Sequence, residues 1–345
     1  MYKVGVCGHF GGNTNPLDGQ TIKTKVLTNE LKTILGEQFV QSVDTFGWKN
    51  HPFKLLYSCF LLLRNCENVI ILPARKGLKV FIPLFSFLNV FYKRKLHHVV
   101  IGGWIQDVLK EKKYLRNMLK RFDGVYLETK SVISILAELG LDNAKYLANF
   151  KQLSTLNVSE LVYSERLPLK LCTFSRVMKE KGNEDAIEAV IDINKKFGYD
   201  VFSLHIYGPV DENYIEKFET MKKMFPACIS YKGIVAFNRT TEVVKDYFAL
   251  LFPTHYKREG IPGTIIDAYA SGVPVISAGW DFAHDIITDG ETGIIYKMGE
   301  LKQLKDILHK VAKKPSIINN MKKNCLMRSA DYAPKSAIRD FIKYL

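Results

Sequence analysis

Short apolar runs alternate along the chain with longer stretches in which apolar residues recur every three or four positions, a pattern that predicts parallel sheets built from strand-helix-strand units. Six strands are predicted in the first half, at Tyr2–Gly8, Gln38–Asp44, Asn68–Leu72, His98–Ile101, Gly124–Leu127 and Lys145–Leu147. Six more follow, at Leu169–Phe174, Val201–Tyr207, Ile229–Lys232, Ala249–Phe252, Val273–Ser277 and Gly293–Tyr296. A polar stretch from Lys151 to Pro168 separates the two series. The expected fold class is α/β, with one Rossmann-like domain over residues 1–160, a second over 161–330 and a terminal helix over 331–345. A ligand would then lie outside the carboxyl ends of the strands, in the cleft between domains.

Composition narrows the class without naming a chemistry. The 345 residues suit two domains, and 47% hydrophobic with 24% charged residues is ordinary for a globular chain. No apolar run reaches the length of a spanning helix, and the first residues, Met1 to Val6, read as a strand and not a signal peptide. The cytoplasm is therefore the expected location. Cys7, Cys59, Cys66, Cys172, Cys228 and Cys325 are scattered, without a C-x-x-C pair or a His at zinc spacing, and read as reduced thiols. Net charge is +14 and uneven: residues 1–160 hold 22 Lys and Arg against 12 Asp and Glu, and residues 161–345 hold 27 against 23. Such a field draws phosphorylated substrates, anionic lipid or nucleic acid.

The richest segment runs from Glu259 to Ile276 and sets Glu259 and Asp267 eight positions apart, with small residues between them. Pro262 suits a first helical position, and Gly272 with Pro274 ends that helix before an apolar strand. Gly263 and Asp267 share one face, while Ile265, Ile266 and Tyr269 turn to a core, so Asp267 is expected near the exposed end. Free N–H groups at the helix start would face a phosphate or sugar hydroxyls, with Glu259 beside them. The plain alternative is a solvated loop acid and an ordinary helix-face acid.

This segment resembles the E-x7-E signature of GT4-type retaining glycosyltransferases (the glycosyl transferase group 1 family), with Asp267 in place of the second Glu. The resemblance implies a GT-B architecture, two Rossmann-like domains facing across a cleft. It also implies that Glu259 contacts the transferring sugar, Asp267 the ribose hydroxyls, and the backbone of Gly260, Ile261, Pro262, Gly263 and Thr264 the sugar and diphosphate.

Other motifs extend the reading. Ser175-Arg176-Val177-Met178-Lys179-Glu180-Lys181-Gly182 follows a predicted strand and precedes a helix predicted from Asn183 to Phe197, bringing two cations to a strand's carboxyl end. An Arg fork with a Lys point charge suits phosphate oxygens, though a solvated basic loop is the alternative. The loop resembles the family's G-R-L-x-x-x-K-G, with Phe174-Ser175 where the family has Gly, which implies that Arg176 and Lys181 neutralise the leaving diphosphate. Gly208 and Ile234 end the next two strands. The family's nucleotide lies beside such positions, and both are equally readable as simple strand ends.

In the first half, the loop from Gly8 to Thr21 is neither G-x-G-x-x-G nor a P-loop, which disfavours a dehydrogenase or P-loop enzyme. The resemblance implies that Gly19 and Gln20 face donor diphosphate or acceptor, with a structural turn as the alternative. The strand at His98–Ile101 empties into Gly102, Gly103, Trp104 and Asp107, an aromatic face and an acid that suit a sugar. This resembles the acceptor side of bacterial capsule and exopolysaccharide glycosyltransferases, as does Asp18-Gly19-Gln20-Thr21. A core Trp and a helix-capping Asp are the alternative, and His9 joins the acceptor candidates against a packed His.

Val80 to Tyr92 is apolar almost all round between basic ends, and Phe53–Leu63 is similar. Core packing is the first expectation. Aromatics beside cations also motivate docking on an anionic membrane, whereas no RNA or DNA module accompanies the charge. The resemblance thus implies a metal-independent hexosyltransferase that moves a sugar, with retention, from a nucleotide diphosphate sugar, UDP-sugar favoured, to a saccharide or polyprenyl-diphosphate-linked acceptor. The expected setting is bacterial surface polysaccharide biosynthesis, with no cofactor, in the cytoplasm or peripheral on the inner face of the cell membrane. A non-catalytic GT-B scaffold that activates a partner transferase, or a nucleotide-sugar epimerase, is the alternative.

Overall fold

The computed structural model describes residues 2–12, 19–236 and 239–345. Asp18 of the Asp18-Gly19-Gln20-Thr21 motif lies outside the described residues. The chain forms two compact units, residues 1–152 with 331–345, and residues 153–330.

The first unit is a six-stranded parallel sheet in the order β2-β1-β3-β4-β5-β6. Its strands are β1 (Tyr2–Gly8), β2 (Val40–Asp44), β3 (Cys66–Leu72), β4 (Lys95–Val99), β5 (Gly124–Leu127) and β6 (Ala144–Tyr146). Strands covered on both faces need apolar residues at successive positions, and Val69, Ile70, Ile71 and Leu72 are all buried. The fourth strand starts at Lys95, three residues ahead of its predicted start, because Lys95 pairs with Asn68 at the sheet's rim while Ile101 has left the ladder. The basic rim masked the beginning of the strand.

Helices α1 (Gly19–Leu35), α2 (Pro52–Asn65), α3 (Arg75–Tyr92) and α4 (Ile105–Glu111) connect these strands. The helix Pro334–Ile342 belongs to this unit as well: Ile338 and Phe341 are buried in its core, and the Phe341 ring meets Tyr126 edge-on at 4.6 Å.

The second unit repeats the scheme in the order β12-β11-β10-β7-β8-β9. Its strands are β7 (Leu169–Phe174), β8 (Phe202–Tyr207), β9 (Ile229–Gly233), β10 (Ala249–Phe252), β11 (Val275–Gly279) and β12 (Gly293–Lys297). The helix Asn183–Phe197 buries Ala186, Ala189, Val190 and Ile193 on this sheet.

In each sheet the winding direction reverses once, between β1 and β3 and between β7 and β10. Loops leaving two neighbouring strands in opposite directions open a crevice at the carboxyl ends, the usual ligand position in such sheets.

Candidate functional site

The second unit's crevice is walled by the loops that follow β7 and β10. Gly182 lets them approach. It has φ +67°, and a Cβ there would come within 1.9 Å of the Pro253 carbonyl oxygen. His255 N–H donates to the Glu180 carbonyl at 2.8 Å and fastens the two loops together. Lys181 and Glu259, 78 positions apart in sequence, consequently meet as an ion pair between Nζ and Oε1. Their side chains retain 20% and 12% exposure, so the pair lines a partly dry opening. Phe252 lies under Lys181, its centroid 5.6 Å from Nζ.

Thr254 completes the cluster. Its hydroxyl lies 3.2 Å from both Glu259 Oε1 and the Glu180 carbonyl, and it accepts the Tyr256 N–H at 3.1 Å. His255 Nε2 pairs with Asp185 at 3.0 Å, and burial raises the Asp185 pKa despite that neighbour.

The helix Gly263–Ala270 starts at the same edge. Pro262 stands just before it as the N-cap, with ψ 127°, instead of at the first helical position expected. Its ring cannot supply a side-chain acceptor, and while the Ile265 and Ile266 N–H groups donate to Pro262 O at 3.1 and 3.4 Å, the Gly263 and Thr264 amides have no intrahelical partner. A Cβ added at Gly263 would meet nothing within 4 Å, so this end is open to approach. Thr264 Oγ1 is buried without a hydrogen-bond partner in the same first turn. Gly260 and Pro262 are half-buried and Ile261 is buried.

Asp267 corrects an expectation. It is 5% exposed and does not sit near an exposed end, because the flanking helices Thr240–Val244 and Lys322–Ser329 both pack against its helix. Packing from residues far along the chain leaves no mark in a local spacing.

Arg176 occupies the same β7 loop but is held separately, with Nη1 3.6 Å from Asp211 Oδ2 and the side chain 58% exposed. The β7 and β8 loops zip together there: Val177 N–H donates to Pro209 O at 2.8 Å and Asp211 N–H to Val177 O at 3.0 Å. Gly208 makes this possible, with φ +127° and a Cβ position 1.9 Å from Ser175 O. Ile234 is an exposed residue just past β9. Arg176, Lys181, Gly208, Ile234 and Glu259 thus all follow carboxyl ends of one sheet, and direct contact joins Lys181 to Glu259.

The acceptor candidates share one edge of the first unit's sheet. His9 Nδ1 lies 2.8 Å from Thr21 Oγ1, and Gln20 Nε2 donates to Leu72 O at 3.1 Å, which puts Gln20 at the β1/β3 crevice. Gly19 opens α1 and is exposed. Trp104 is the N-cap of α4, its indole N–H donating to Ile101 O at 2.7 Å, and Asp107 lies half-buried in that helix's first turn.

Sequence reasoning missed Thr254, Asp211 and the buried Lys23–Glu128 pair at 2.6 Å. Thr254 carried a usable signal, a polar residue just past a predicted strand and five before Glu259. Lys23 and Glu128, 105 positions apart, carried none.

Residues 166–326 match the family of glycosyl transferases group 1. An uncharacterized glycosyltransferase of Methanocaldococcus jannaschii is 21% identical over 235 residues, covering 62% of this chain and 58% of its own length. The capsular polysaccharide biosynthesis glycosyltransferase CapM of Staphylococcus aureus is 29% identical over 145 residues, 41% of this chain and 36% of its own. The chain thus spans less than two thirds of either relative. HepE of Anabaena, solved in complex with UDP-glucose, superposes with a TM-score of 0.74 at 13% identity over 100% of both chains. Over residues 166–326 the chain is similar to the glycosyl transferases group 1, and it has the GT-B fold.

Proposed function

We propose that the protein is a retaining, metal-independent glycosyltransferase that takes a sugar from a UDP-sugar and delivers it to a saccharide or polyprenyl-diphosphate-linked acceptor, in bacterial surface polysaccharide synthesis at the inner face of the cell membrane. The observation that carries the reading is the Lys181–Glu259 pair, half-buried at the winding reversal of the group 1 unit. The UDP-glucose in HepE and the capsular role in CapM's name support the donor and the setting.

In this reading the diphosphate lies over the first turn of the Gly263 helix, whose amide dipoles and the partnerless Thr264 hydroxyl meet its oxygens. Lys181 and Arg176 neutralise charge as the sugar–phosphate bond breaks, which is transition-state stabilisation by preorganised groups. Glu259, steadied by Thr254, holds the transferring sugar. The acceptor oxygen attacks from the face the leaving group departs, and the diphosphate takes its proton. Asp267, buried as it is, offers the ribose no more than a carboxylate edge. In the other unit, Gln20, His9, Trp104 and Asp107 serve the acceptor side and Gly19 the donor side.

The test is a thermal-shift screen of nucleotide sugars followed by transfer assays. One UDP-sugar should raise the melting temperature, and its consumption should require an acceptor and keep the anomeric configuration. Lys181→Ala should reduce turnover roughly 10²–10³-fold, the scale of removing one preorganised oxyanion donor. Binding without consumption would favour the scaffold alternative, and product formed without acceptor would favour the epimerase.

A further inference from the structure

The pattern of apolar residues along α2 and α3 has a second side. Helix α3 buries Leu78, Phe81, Ile82 and Phe85, and α2 buries Leu55, Cys59, Leu62 and Leu63. Core packing therefore uses one face of each helix. The opposite faces are apolar too: Phe53 is 85% exposed, Phe91 73%, Phe87 68%, Val90 66% and Tyr57 63%.

Tyr57 stacks near Phe60 and Phe60 meets Tyr92 edge-on at 5.7 Å, which links α2 to α3, while Phe87 and Phe91 pair at 6.1 Å along α3. Arg94 ties the helix ends together, with Nε donating to Leu63 O at 3.0 Å and Nη2 to Arg64 O at 3.2 Å. Residues 46–95 hold nine Lys and Arg against a single acid, Glu67. Lys54, Arg75, Lys76 and Lys79 stand exposed toward the amino ends of the helices, and Arg64, Lys93 and Lys95 toward the carboxyl ends. Cations thus bracket an aromatic centre.

We propose that this α2/α3 face seats on an anionic lipid bilayer, with Phe53, Tyr57, Phe87, Val90 and Phe91 entering the headgroup boundary and the flanking lysines and arginines meeting lipid phosphates. Charge selects this occupant. A second copy of the chain would bring the same cations face to face, whereas anionic headgroups complement them and long basic side chains reach outward from an apolar seat. Among the described residues no helix is long and apolar enough to cross a membrane, so the mode is interfacial. The inference rests on the membrane-linked acceptor of the proposed function only for its purpose. Its test contains no sugar, so the two fail separately.

The experiment is co-sedimentation of the full chain with vesicles of phosphatidylcholine alone or mixed with phosphatidylglycerol. Binding should require the anionic lipid, and F53S/F87S/F91S should weaken it at least about tenfold while keeping the melting temperature, since all three rings are already exposed. Lys54→Glu and Lys79→Glu should each cost roughly fivefold or more, following the worth of one cation near an anionic surface. Tyr199→Ser, at an exposed aromatic of the second unit, should change nothing. No vesicle binding, equal binding to both lipids, or a triple variant that binds like the parent overturns the proposal. So does a triple variant whose sole effect is to dissociate an oligomer, which would assign the face to protein contact.

Discussion

The two units share one architecture, six parallel strands with a single reversal of winding, but they handle charge in opposite ways. In the second unit the ions at the carboxyl ends of the strands are partly open: Lys181 with Glu259 and Arg176 with Asp211 keep access to solvent. In the first, Lys23 and Glu128 are 2% and 4% exposed, with the Lys23 ammonium 5.4 Å from the Phe150 ring centroid and Gly102 N–H donating to Glu128 at 3.3 Å. A ligand can reach these pairs because solvent does, and its own charge can take the place of the displaced partner. The buried pair cannot be exchanged cheaply and reads as architecture. Identical sheets therefore do not imply identical roles for the charges at their edges.

Breaking the buried pair on one side should have the largest effect. Lys23→Met leaves Glu128 without its cation in a dry site and should destabilise the first unit by about 3–5 kcal/mol. Urea unfolding of the full chain should show one transition moving to lower denaturant while the second stays, and K23M/E128L should recover most of the loss. A single-variant loss below about 1 kcal/mol would remove the distinction between the two units.

The sheets were legible because covered parallel strands need unbroken apolar runs, and such runs at Val69–Leu72 or Ala249–Phe252 have little other use. The Lys181–Glu259 meeting was legible in part, since each residue follows its own predicted strand and strand order alone brings the loops together. The burial of Asp267 was not, because the helix Lys322–Ser329 that packs on its helix lies more than fifty positions downstream. The outer faces of α2 and α3 stayed ambiguous for a different reason. A helix apolar all round gives no periodic signal of which side is wet.

A pH titration sharpens the comparison next. His97 and His98 on β4 are fully buried, and burial pushes both down to about 4 from 6.5. His97 is neutral between Tyr126 OH at 3.2 Å and Asn68 Oδ1 at 3.3 Å. The unfolded chain takes up these protons near pH 6.5 and the folded chain only near 4. Their contribution is therefore complete above about 6.5 and lost as pH falls toward 4, about 3 kcal/mol per histidine as an upper figure. Denaturant midpoints measured across this window should fall steeply for the first unit, and H97Q/H98Q should flatten the slope. An unchanged slope would place the acid sensitivity elsewhere.

The smallest effect is the most diagnostic for the open site. Thr254 touches Glu259, the Glu180 carbonyl and the Tyr256 amide, yet it reaches no open space itself, being 1% exposed. On the proposed function it is a positioning residue, whose hydroxyl holds the Glu259 carboxylate in place. Thr254→Val keeps the volume and removes the hydroxyl, so Glu259 gains rotational freedom and the Tyr256 amide loses its acceptor. A hydrogen bond to a charged group is worth about 1.5–3 kcal/mol, and because the Thr254 hydroxyl stands equally near the Glu180 carbonyl the low end applies, which on the proposed function is a roughly tenfold drop in kcat with KM for the donor held. Thr254→Ser should restore the rate, because it returns the oxygen without the methyl. A purely architectural threonine would behave otherwise, lowering the melting temperature in Thr254→Val while kcat stayed at the parent value. The split between rate and stability thus decides whether the loop after β10 was built to hold a carboxylate in place or merely to close a strand.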